Sequence, residues 1–300
     1  MKKVVLIAVV GLISWGFCFG LGLAAEKGHY VNGSEGIKAA TLPPPGFYYR
    51  LYLTYYDANK SMDTDGNDAN LNFDLGLFAV VNRFIWVTDV NLLGGNYFMD
   101  VIIPLLNTDI KIGALGVDDS KFGLSDIAIE PFGISWHRPR YDASAGLAVY
   151  VPTGEYDINN QASPGKDFWT GMFTLGGTYY FDEKKTWAVS ILSRYEVHSK
   201  KGGQDITPGN DFHFEWGLSK TLAKFWDVGL TGYCHWQVTD DRGSDATNTD
   251  VHDQVYAIGP EVSVFCPSVK FIFSLRSQWE FEAVDRSEGH ITTLTITKMF

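Results

Sequence analysis

Cysteine is scarce in this 300-residue chain, with Cys18, Cys234 and Cys266 as its three members. Their number excludes a disulfide framework of the kind that supports small secreted domains. Basic residues are also few, since 24 Lys and Arg stand against 35 Asp and Glu and give a net charge of -11. That balance argues against nucleic acid as a partner. After residue 25 the chain has no long apolar run free of charge, so membrane-spanning helices are excluded there.

One apolar run is present at the start of the chain. Lys2 and Lys3 precede residues 4–23, and Ala24 and Ala25 follow them. A basic start, an apolar stretch and small residues at its end predict a secretory signal peptide over residues 1–25. The alternative is a membrane-anchoring helix, because the run is long enough to span a bilayer; its four glycines disfavour that helix. Phe17, immediately before Cys18, argues against a lipidation site.

The remaining sequence alternates between apolar and polar residues. Hydrophobic residues make up 45% of the chain, yet the mean hydropathy is -0.05, so the two kinds are finely mixed. Residues 212–219 and 269–282 show the pattern most clearly, with aromatic or aliphatic side chains at every second position except Ser277. A period of two indicates strands with one apolar and one polar face. A soluble sandwich would bury the apolar faces in a core, whereas an outer-membrane barrel turns them to lipid.

Strand length and loop length favour the barrel. The predicted strands are long, and tryptophans lie near both of their ends, as at the two interfaces of a bilayer. Short turns alternate with longer polar loops at 57–70, 107–121, 153–167, 200–210 and 240–253, the pattern of periplasmic and extracellular ends. We predict an all-β, transmembrane, antiparallel up-and-down β-barrel over residues 46–300. Its twelve strands are 46–56, 71–89, 96–105, 122–136, 142–152, 168–181, 187–199, 211–222, 226–239, 254–266, 269–284 and 290–300.

Both ends of the barrel carry further signals. Residues 26–45 include Pro43, Pro44 and Pro45 and cannot form a strand, because proline removes ladder donors. They are predicted to be either a loose periplasmic tail or a plug folded into the lumen. The last strand ends in Phe300, and a terminal aromatic residue on an amphipathic strand is typical of the signal read by the β-barrel assembly machinery.

The inward positions of the strands give the candidate ligand path. Charges in a narrow lumen need partners, so Arg194 and Arg276 are predicted to pair with carboxylates. The candidates for those carboxylates are Glu196, Glu215, Glu261, Glu280 and Glu282. Apolar and aromatic lumen positions are predicted at Tyr52, Phe78, Tyr150, Met172, Tyr180, Leu192, Tyr233 and Phe265. The full candidate path is Tyr52, Asp126, Glu130, Tyr150, Arg194, His213, Glu215, Tyr233, His235, Arg276 and Glu280. The rings either bind a ligand by stacking and burial or only fill the barrel.

Four stretches carry a family resemblance. They are HYVNGSEGIKAATLPPPGFYYRLYLTYYDA at 29–58, LLGGNY at 92–97, GLSDIAIEPFGISWH at 123–137 and YVPTGEY at 150–156. In this order they resemble the SphA-like outer-membrane proteins, which are grouped with a meta-pathway of phenol degradation. The resemblance implies an outer-membrane channel associated with uptake of aromatic or lipid-like compounds, and it supplies no catalytic residues.

Motifs for other chemistry are weak. The sequence GLSDI at 123–127 lacks the second glycine and the strand-to-helix context of a nucleophile elbow. The acidic loops 63–68 and 240–253 are predicted to be solvated, because the first lacks the ligands of a calcium loop. His213, Glu215 and His235 do not supply a convincing zinc set, so we predict no metal and no cofactor. The outward faces are predicted to carry Ser193 and Ser277 but no histidine, which disfavours a lipid-modifying enzyme.

The sequence therefore predicts a non-enzymatic channel or transporter for small, largely apolar compounds, working by passive diffusion in the outer membrane of a Gram-negative bacterium. Its expected partners are outer-membrane lipid and lipopolysaccharide, the assembly machinery and a small apolar ligand. An outer-membrane lipid-modifying enzyme and a structural or adhesive surface barrel remain the alternatives.

Overall fold

A computed structural model describes residues 28–300, so the predicted signal peptide, 1–25, lies outside the described residues. Thirteen strands account for most of the described chain. They are β1 (Gly46–Ser61), β2 (Phe73–Leu92), β3 (Gly95–Ile112), β4 (Val117–Leu124), β5 (Ile127–His137), β6 (Tyr141–Val151), β7 (Thr170–Tyr180), β8 (Trp187–His198), β9 (Asp211–Leu222), β10 (Trp226–Gln237), β11 (Gln254–Cys266), β12 (Phe271–Val284) and β13 (Ser287–Met299). A single 3-10 turn, Gly113–Leu115, lies between β3 and β4.

The strands form one closed antiparallel sheet. β1 pairs with both β2 and β13, so no open edge remains at the chain ends. β4 and β5 share one position in the wall, because β4 pairs with the later half of β3 and β5 with its earlier half. The interruption falls at Ser125 and Asp126. The wall therefore has twelve strand positions, and the prediction of a closed twelve-strand barrel is confirmed.

The two ends of the barrel differ in their connections. Brief turns join β2 to β3, β5 to β6, β7 to β8, β9 to β10 and β11 to β12, and the start of β1 and the end of β13 lie at this same end. We call it the short-turn end. The opposite end carries the long connections 152–169, 199–210 and 238–253 and is called the long-loop end.

The predicted loop 107–121 is wrong in its extent, because β3 and β4 continue through most of it. Its apolar residues point inward: Ile110 and Ile112 are buried with Phe73 and Leu75. Its charged residues point outward, as in the exposed pair Lys111 and Asp118. This polarity is the reverse of a lipid-facing segment. The hairpin therefore extends beyond the apolar band of the barrel at its long-loop end.

The outer face of the barrel is apolar. Leu147, Phe173, Leu175 and Ile191 are each about half exposed on the neighbouring strands β6, β7 and β8, and Leu275 on β12 is exposed to a similar extent. A soluble protein rarely exposes an apolar patch of this extent, whereas a lipid-facing barrel wall requires one. Exposed tryptophans lie near both ends of the wall, at Trp169, Trp187, Trp226 and Trp279.

Among residues 28–300, no helix is long and apolar enough to cross a bilayer.

Three predicted side-chain orientations are wrong. Phe78 lies on the outer face and is 43% exposed, because a shift of one position along a strand exchanges the faces. Glu282 is also exposed. Its φ is 55°, and it lies next to a register irregularity between β11 and β12. As a result Ala283, and not Glu282, is the buried residue at this point of β12. Finally, the outer face does carry a histidine, His290, whose ring stacks on the exposed Trp279.

Candidate functional site

The strand alternation brings the predicted lumen residues together on the inner wall. Ten of them are buried: Tyr52, Asp126, Glu130, Tyr150, Arg194, His213, Glu215, Tyr233, His235 and Arg276. Glu280 is half-buried and accepts hydrogen bonds from the hydroxyls of Tyr233 (2.7 Å) and Tyr56 (2.8 Å). Asp126 departs from the prediction in one respect, because it lies in the break between β4 and β5 rather than on a strand face.

Residues 28–43, which we call the lumen segment, run along the inside of the barrel. At the long-loop end, His29 Nε2 lies 2.9 Å from Asp126 Oδ2. Toward the short-turn end, Lys38 donates to Asp227 at 2.8 Å. The contacts therefore follow the whole length of the wall. Of the three prolines proposed for a plug, Pro43 lines the lumen cavity, whereas Pro44 and Pro45 are exposed at the short-turn end.

An ionic cluster holds the middle of the lumen segment. Glu35 accepts from Arg50 and Arg83, both at 3.0 Å, and from the Tyr52 hydroxyl at 2.7 Å. The side chains of Glu35, Arg50 and Arg83 are 12%, 20% and 15% exposed. Because these charges are largely withdrawn from water, each depends on its partners. Of this cluster, sequence reasoning identified only Tyr52.

Tyr30 fills the lumen next to the ionic cluster. Its hydroxyl donates to Glu215 at 2.8 Å, and Arg194 donates to the same carboxylate oxygen at 2.8 Å. The Arg194 guanidinium lies 3.7 Å from the Tyr30 ring centroid, and the His213 ring stacks on the Tyr30 ring with 5.0 Å between the centroids. The predicted Arg194–Glu215 pair is present, and it is completed by a side chain from the lumen segment.

Backbone groups of the lumen segment also contact the wall. Arg276 donates to the carbonyl oxygens of Gly33 and Ser34. The Ile37 amide donates to Glu261 at 2.8 Å. A Cβ added at Gly36 would lie 1.7 Å from Glu261 Oε2, so a side chain at this position would have to displace the carboxylate that accepts from the Ile37 amide.

Histidines and carboxylates meet at the long-loop end of the lumen. Glu196, His198 and Asp211 form one group with ligand atoms within 4.8 Å of one another, and Asp211, His235 and Asp253 form a second. Nitrogen and oxygen donors in such sets suit zinc. However, His198 lies 3.0 Å from Asp211 and His235 lies 2.9 Å from Asp253, so each histidine already has a carboxylate as its hydrogen-bond partner. We therefore assign no metal to them.

The lumen keeps little open space beside the lumen segment. A cavity of about 60 Å³ lies between that segment and the wall. Its lining combines the charged groups of Glu35, Arg50, Arg83 and Arg194 with the apolar side chains of Ile85, Phe98, Ile102, Ala128, Met172 and Leu192. Apolar contact is therefore available on the wall, but only in a narrow space.

A larger cavity of about 340 Å³ opens among the loops of the long-loop end, and we call it the vestibule. Its apolar lining comes from Tyr156, Ile158, Phe168, Ile206 and Pro208. Phe168 separates it from the lumen segment and packs edge-on against the His29 ring at 4.7 Å. The vestibule thus lies directly over the end of the lumen segment.

A loop contact at the vestibule connects two of the long connections. Asp205 accepts from Lys200 at 2.8 Å and from the Ser244 hydroxyl at 2.8 Å. These hydrogen bonds, with that of Lys200 foremost, lower the pKa of the Asp205 carboxyl to about 2. The carboxylate therefore stays ionised and keeps the loops together well into the acidic range.

Several residues that build the lumen were missed by sequence reasoning, among them His29, Tyr30, Glu35, Arg50 and Arg83. Arg50 and Arg83 occupy inward positions of β1 and β2, so strand alternation alone could have found them. The three residues of the lumen segment follow no period and had no such signal.

The chain matches known proteins by fold and by family, while none of the curated proteins matches it. The crystal structure of the COG4313 outer membrane channel from Pseudomonas putida F1 superposes with a TM-score of 0.78 at 12% identity, covering 91% of this chain and 100% of that one. The β domain of the Bordetella autotransporter BrkA gives 0.50 at 11% identity, covering 85% and 99%. The translocator domain of NalP from Neisseria meningitidis gives 0.50 at 10%, covering 86% and 90%. The family model described as "Putative MetA-pathway of phenol degradation" matches residues 58–296, and the chain belongs to that family.

Proposed function

We propose that this protein is an outer-membrane channel of a Gram-negative bacterium through which small, largely apolar compounds, aromatic or lipid-like, diffuse passively. The short-turn end then faces the periplasm and the long-loop end faces the exterior. The observation that carries the proposal is the vestibule, whose volume of about 340 Å³ falls in the range of about 300–1,000 Å³ typical of small-molecule sites. Its mixture of rings, aliphatic side chains and a few polar groups suits such ligands.

Passage requires the lumen segment to move. An apolar cavity of about 150 Å³ holds a benzene molecule, whereas the space beside the segment is about 60 Å³. A compound of benzene size is therefore held at the vestibule until the segment shifts. The ionic contacts of Glu35 oppose that shift, so in this proposal residues 28–43 act as a plug rather than as a loose tail.

The surroundings of the channel follow from its outer surface. The apolar wall is proposed to contact outer-membrane lipid and, on the side of the long loops, lipopolysaccharide. Phe300 is 69% exposed and lies 5.7 Å, centroid to centroid, from the Phe47 ring. This accessible terminal ring supports recognition by the β-barrel assembly machinery during insertion.

Planar-bilayer recording with the purified barrel tests the proposal. Deleting residues 28–42 is expected to raise the single-channel conductance, and phenol is expected to interrupt the current while glycerol does not. Tyr156→Ala should weaken the phenol effect, because it removes a ring from the vestibule. Tyr179→Ala is the matched control, since Tyr179 is exposed on the outer wall. A folded barrel that neither conducts after the deletion nor binds any aromatic solute would refute the proposal.

A further inference from the structure

The outer face of the barrel carries a serine, a histidine and an aspartate, each close to the next. Ser277 Oγ lies 2.7 Å from His290 Nε2. The other ring nitrogen, His290 Nδ1, lies 3.6 Å from Asp57 Oδ1. The strand register creates this arrangement, because His290 is directly opposite Asp57 on β1 and opposite Trp279 on β12. Ser277 is two residues before Trp279 and therefore points to the same face of β12.

A serine hydroxyl within hydrogen-bond reach of a histidine, which is in turn oriented by a carboxylate, is the arrangement that activates a nucleophile. The distance of 3.6 Å between His290 and Asp57 is long for a hydrogen bond, as is common before substrate binds. Thr292 adds a second hydroxyl, with its Oγ1 2.8 Å from Ser277 Oγ. The side chains of His290 and Asp57 are 30% and 55% exposed, so a substrate can reach the group from outside the barrel.

The position of the group on the wall indicates the substrate. Asp57 is a charged residue on the outer face, and charge is tolerated there near an interface rather than at the middle of the apolar band. Trp279 is 53% exposed and stacks on His290 at 4.9 Å, and indole rings concentrate at the headgroup level. The neighbouring outward side chain Leu275 is apolar and 48% exposed. The group therefore lies where the ester bonds of membrane lipids lie.

We propose that Ser277 and His290 form a second site that hydrolyses acyl esters of lipids at the membrane interface on the long-loop side. Ser277 Oγ attacks the ester carbonyl while its proton passes to His290 Nε2. The carbon–oxygen bond to the alcohol then breaks, and His290 returns the proton to the departing alcohol. Water, deprotonated by His290, attacks the acylated serine and releases the fatty acid, so the net change is ester plus water to acid plus alcohol. Asp57 is a positioning residue for His290, and Thr292 donates to the developing oxyanion.

The chain offers a matched control. Ser193 is a second serine on the outer face, but its hydroxyl donates to the backbone carbonyl of Leu175 at 2.7 Å, and no hydrogen bond joins it to a histidine among residues 28–300. It shares the lipid-facing setting with Ser277 and lacks the base. A chemistry that depends on His290 must therefore distinguish the two serines.

The test uses the folded full-length barrel in detergent micelles, with a fluorogenic phospholipid as substrate and a fluorophosphonate as covalent probe. Mass spectrometry is expected to place the probe on Ser277 and not on Ser193. Ser277→Ala and His290→Asn should each lower hydrolysis by at least about 10²-fold, since a positioned general base contributes about 10²–10⁴-fold. Thr292→Val should lose about 10²-fold or more, the effect of one oxyanion donor. Asp57→Asn should lower kcat with KM unchanged, and Ser193→Ala should leave hydrolysis unchanged.

Two results would overturn the assignment: a folded barrel that shows neither labelling nor hydrolysis, or hydrolysis that persists in Ser277→Ala. Heat-dependent migration on gels identifies variants that have not folded. For such a variant, the test is the comparison of probe labelling at Ser277 and at Ser193 in the unsubstituted chain. Conductance is measured separately and should be the same in Ser277→Ala, so failure of the hydrolase site and failure of the channel are distinguishable.

Discussion

Glu35→Gln is expected to release the lumen segment from the wall. The substitution removes the charge that Arg50 and Arg83 share, at 3.0 Å each, while keeping the size of the side chain. Arg83 retains Asp100 and Glu130 as partners, whereas Arg50 has no second carboxylate within salt-bridge distance among residues 28–300. Removing one partner of a buried ion pair costs about 3–5 kcal/mol. At about 1.4 kcal/mol per factor of ten, the undocked population should rise by roughly two to three and a half powers of ten.

The labelling rate of a cysteine in the segment measures this population. Ala40 is fully buried inside the barrel, so Ala40→Cys reacts with a maleimide only when the segment is undocked. The background carries Cys234→Ser and Cys266→Ser, because both of the thiols among residues 28–300 are free. Glu35→Gln should accelerate labelling by about 10²-fold or more and raise the conductance. The increase in the labelling rate should lie near the lower end of the expected range, since the glutamine oxygen can still accept the hydrogen bond from the Tyr52 hydroxyl.

Glu183→Gln is the control for loss of one negative charge. Glu183 lies in the turn between β7 and β8, its side chain is 88% exposed, and its partner is Arg140 at 3.6 Å. It should leave both labelling and conductance unchanged. If Glu35→Gln labels within threefold of the parent while the barrel remains folded, the ionic cluster does not hold the segment and the gating argument is wrong.

Three further outcomes follow from individual contacts. Gly36→Ala should also accelerate labelling of Ala40→Cys, because its Cβ would meet Glu261 at 1.7 Å, and Gly171→Ala is the control, since nothing lies within 4 Å of the added atom. Asp205 has its pKa lowered to about 2 by Lys200 and Ser244, so its loop contact is complete above the ordinary carboxyl pKa of about 3.9 and is lost as the pH falls toward 2. Pepsin cleavage of the loops should therefore rise over that interval in the parent, whereas Asp205→Asn should be cleaved readily throughout; equal profiles would contradict the assignment. Phe300→Ala should lower the amount of barrel assembled in cells without lowering the melting temperature of barrel refolded in detergent, and a loss of melting temperature would show a structural role instead.

The sequence predicted the wall well because one physical requirement repeats along it. Each spanning strand must present apolar side chains to lipid at every second position, and Phe212, Phe214 and Trp216 on β9 satisfy this directly. The predicted lumen set Tyr52, Glu130 and Arg194 follows from the same period. The strand predictions failed where a strand no longer faces lipid. Beyond the apolar band β3 and β4 reverse their polarity, with Ile110 and Ile112 inward, and the pattern there reads as a loop.

The lumen segment could not be derived in the same way. Its residues make contacts with partners far away in the chain, such as Glu35 with Arg83 and Tyr30 with Glu215. None of these pairings leaves a periodic trace, and a segment with prolines and glycines is equally compatible with a solvated tail. The segment docks only if the wall has complementary charges at the same level along the barrel axis. The positions of those charges can be known only after the closed barrel is known.

The outward histidine shows how an error at a strand boundary can remove a function from consideration. The sequence predicts that the last strand begins at residue 290 and that the outward faces carry no histidine. In the structure β13 begins at Ser287, and the register with β1 and β12 then fixes His290 between Asp57 and Trp279. Because His290 is paired directly with Asp57 on one side and with Trp279 on the other, the three side chains stay together as long as this register holds. The proposed passage through the lumen and the proposed ester chemistry on the outer face therefore depend on one and the same closed sheet, while the residues that would carry them lie on opposite faces of it.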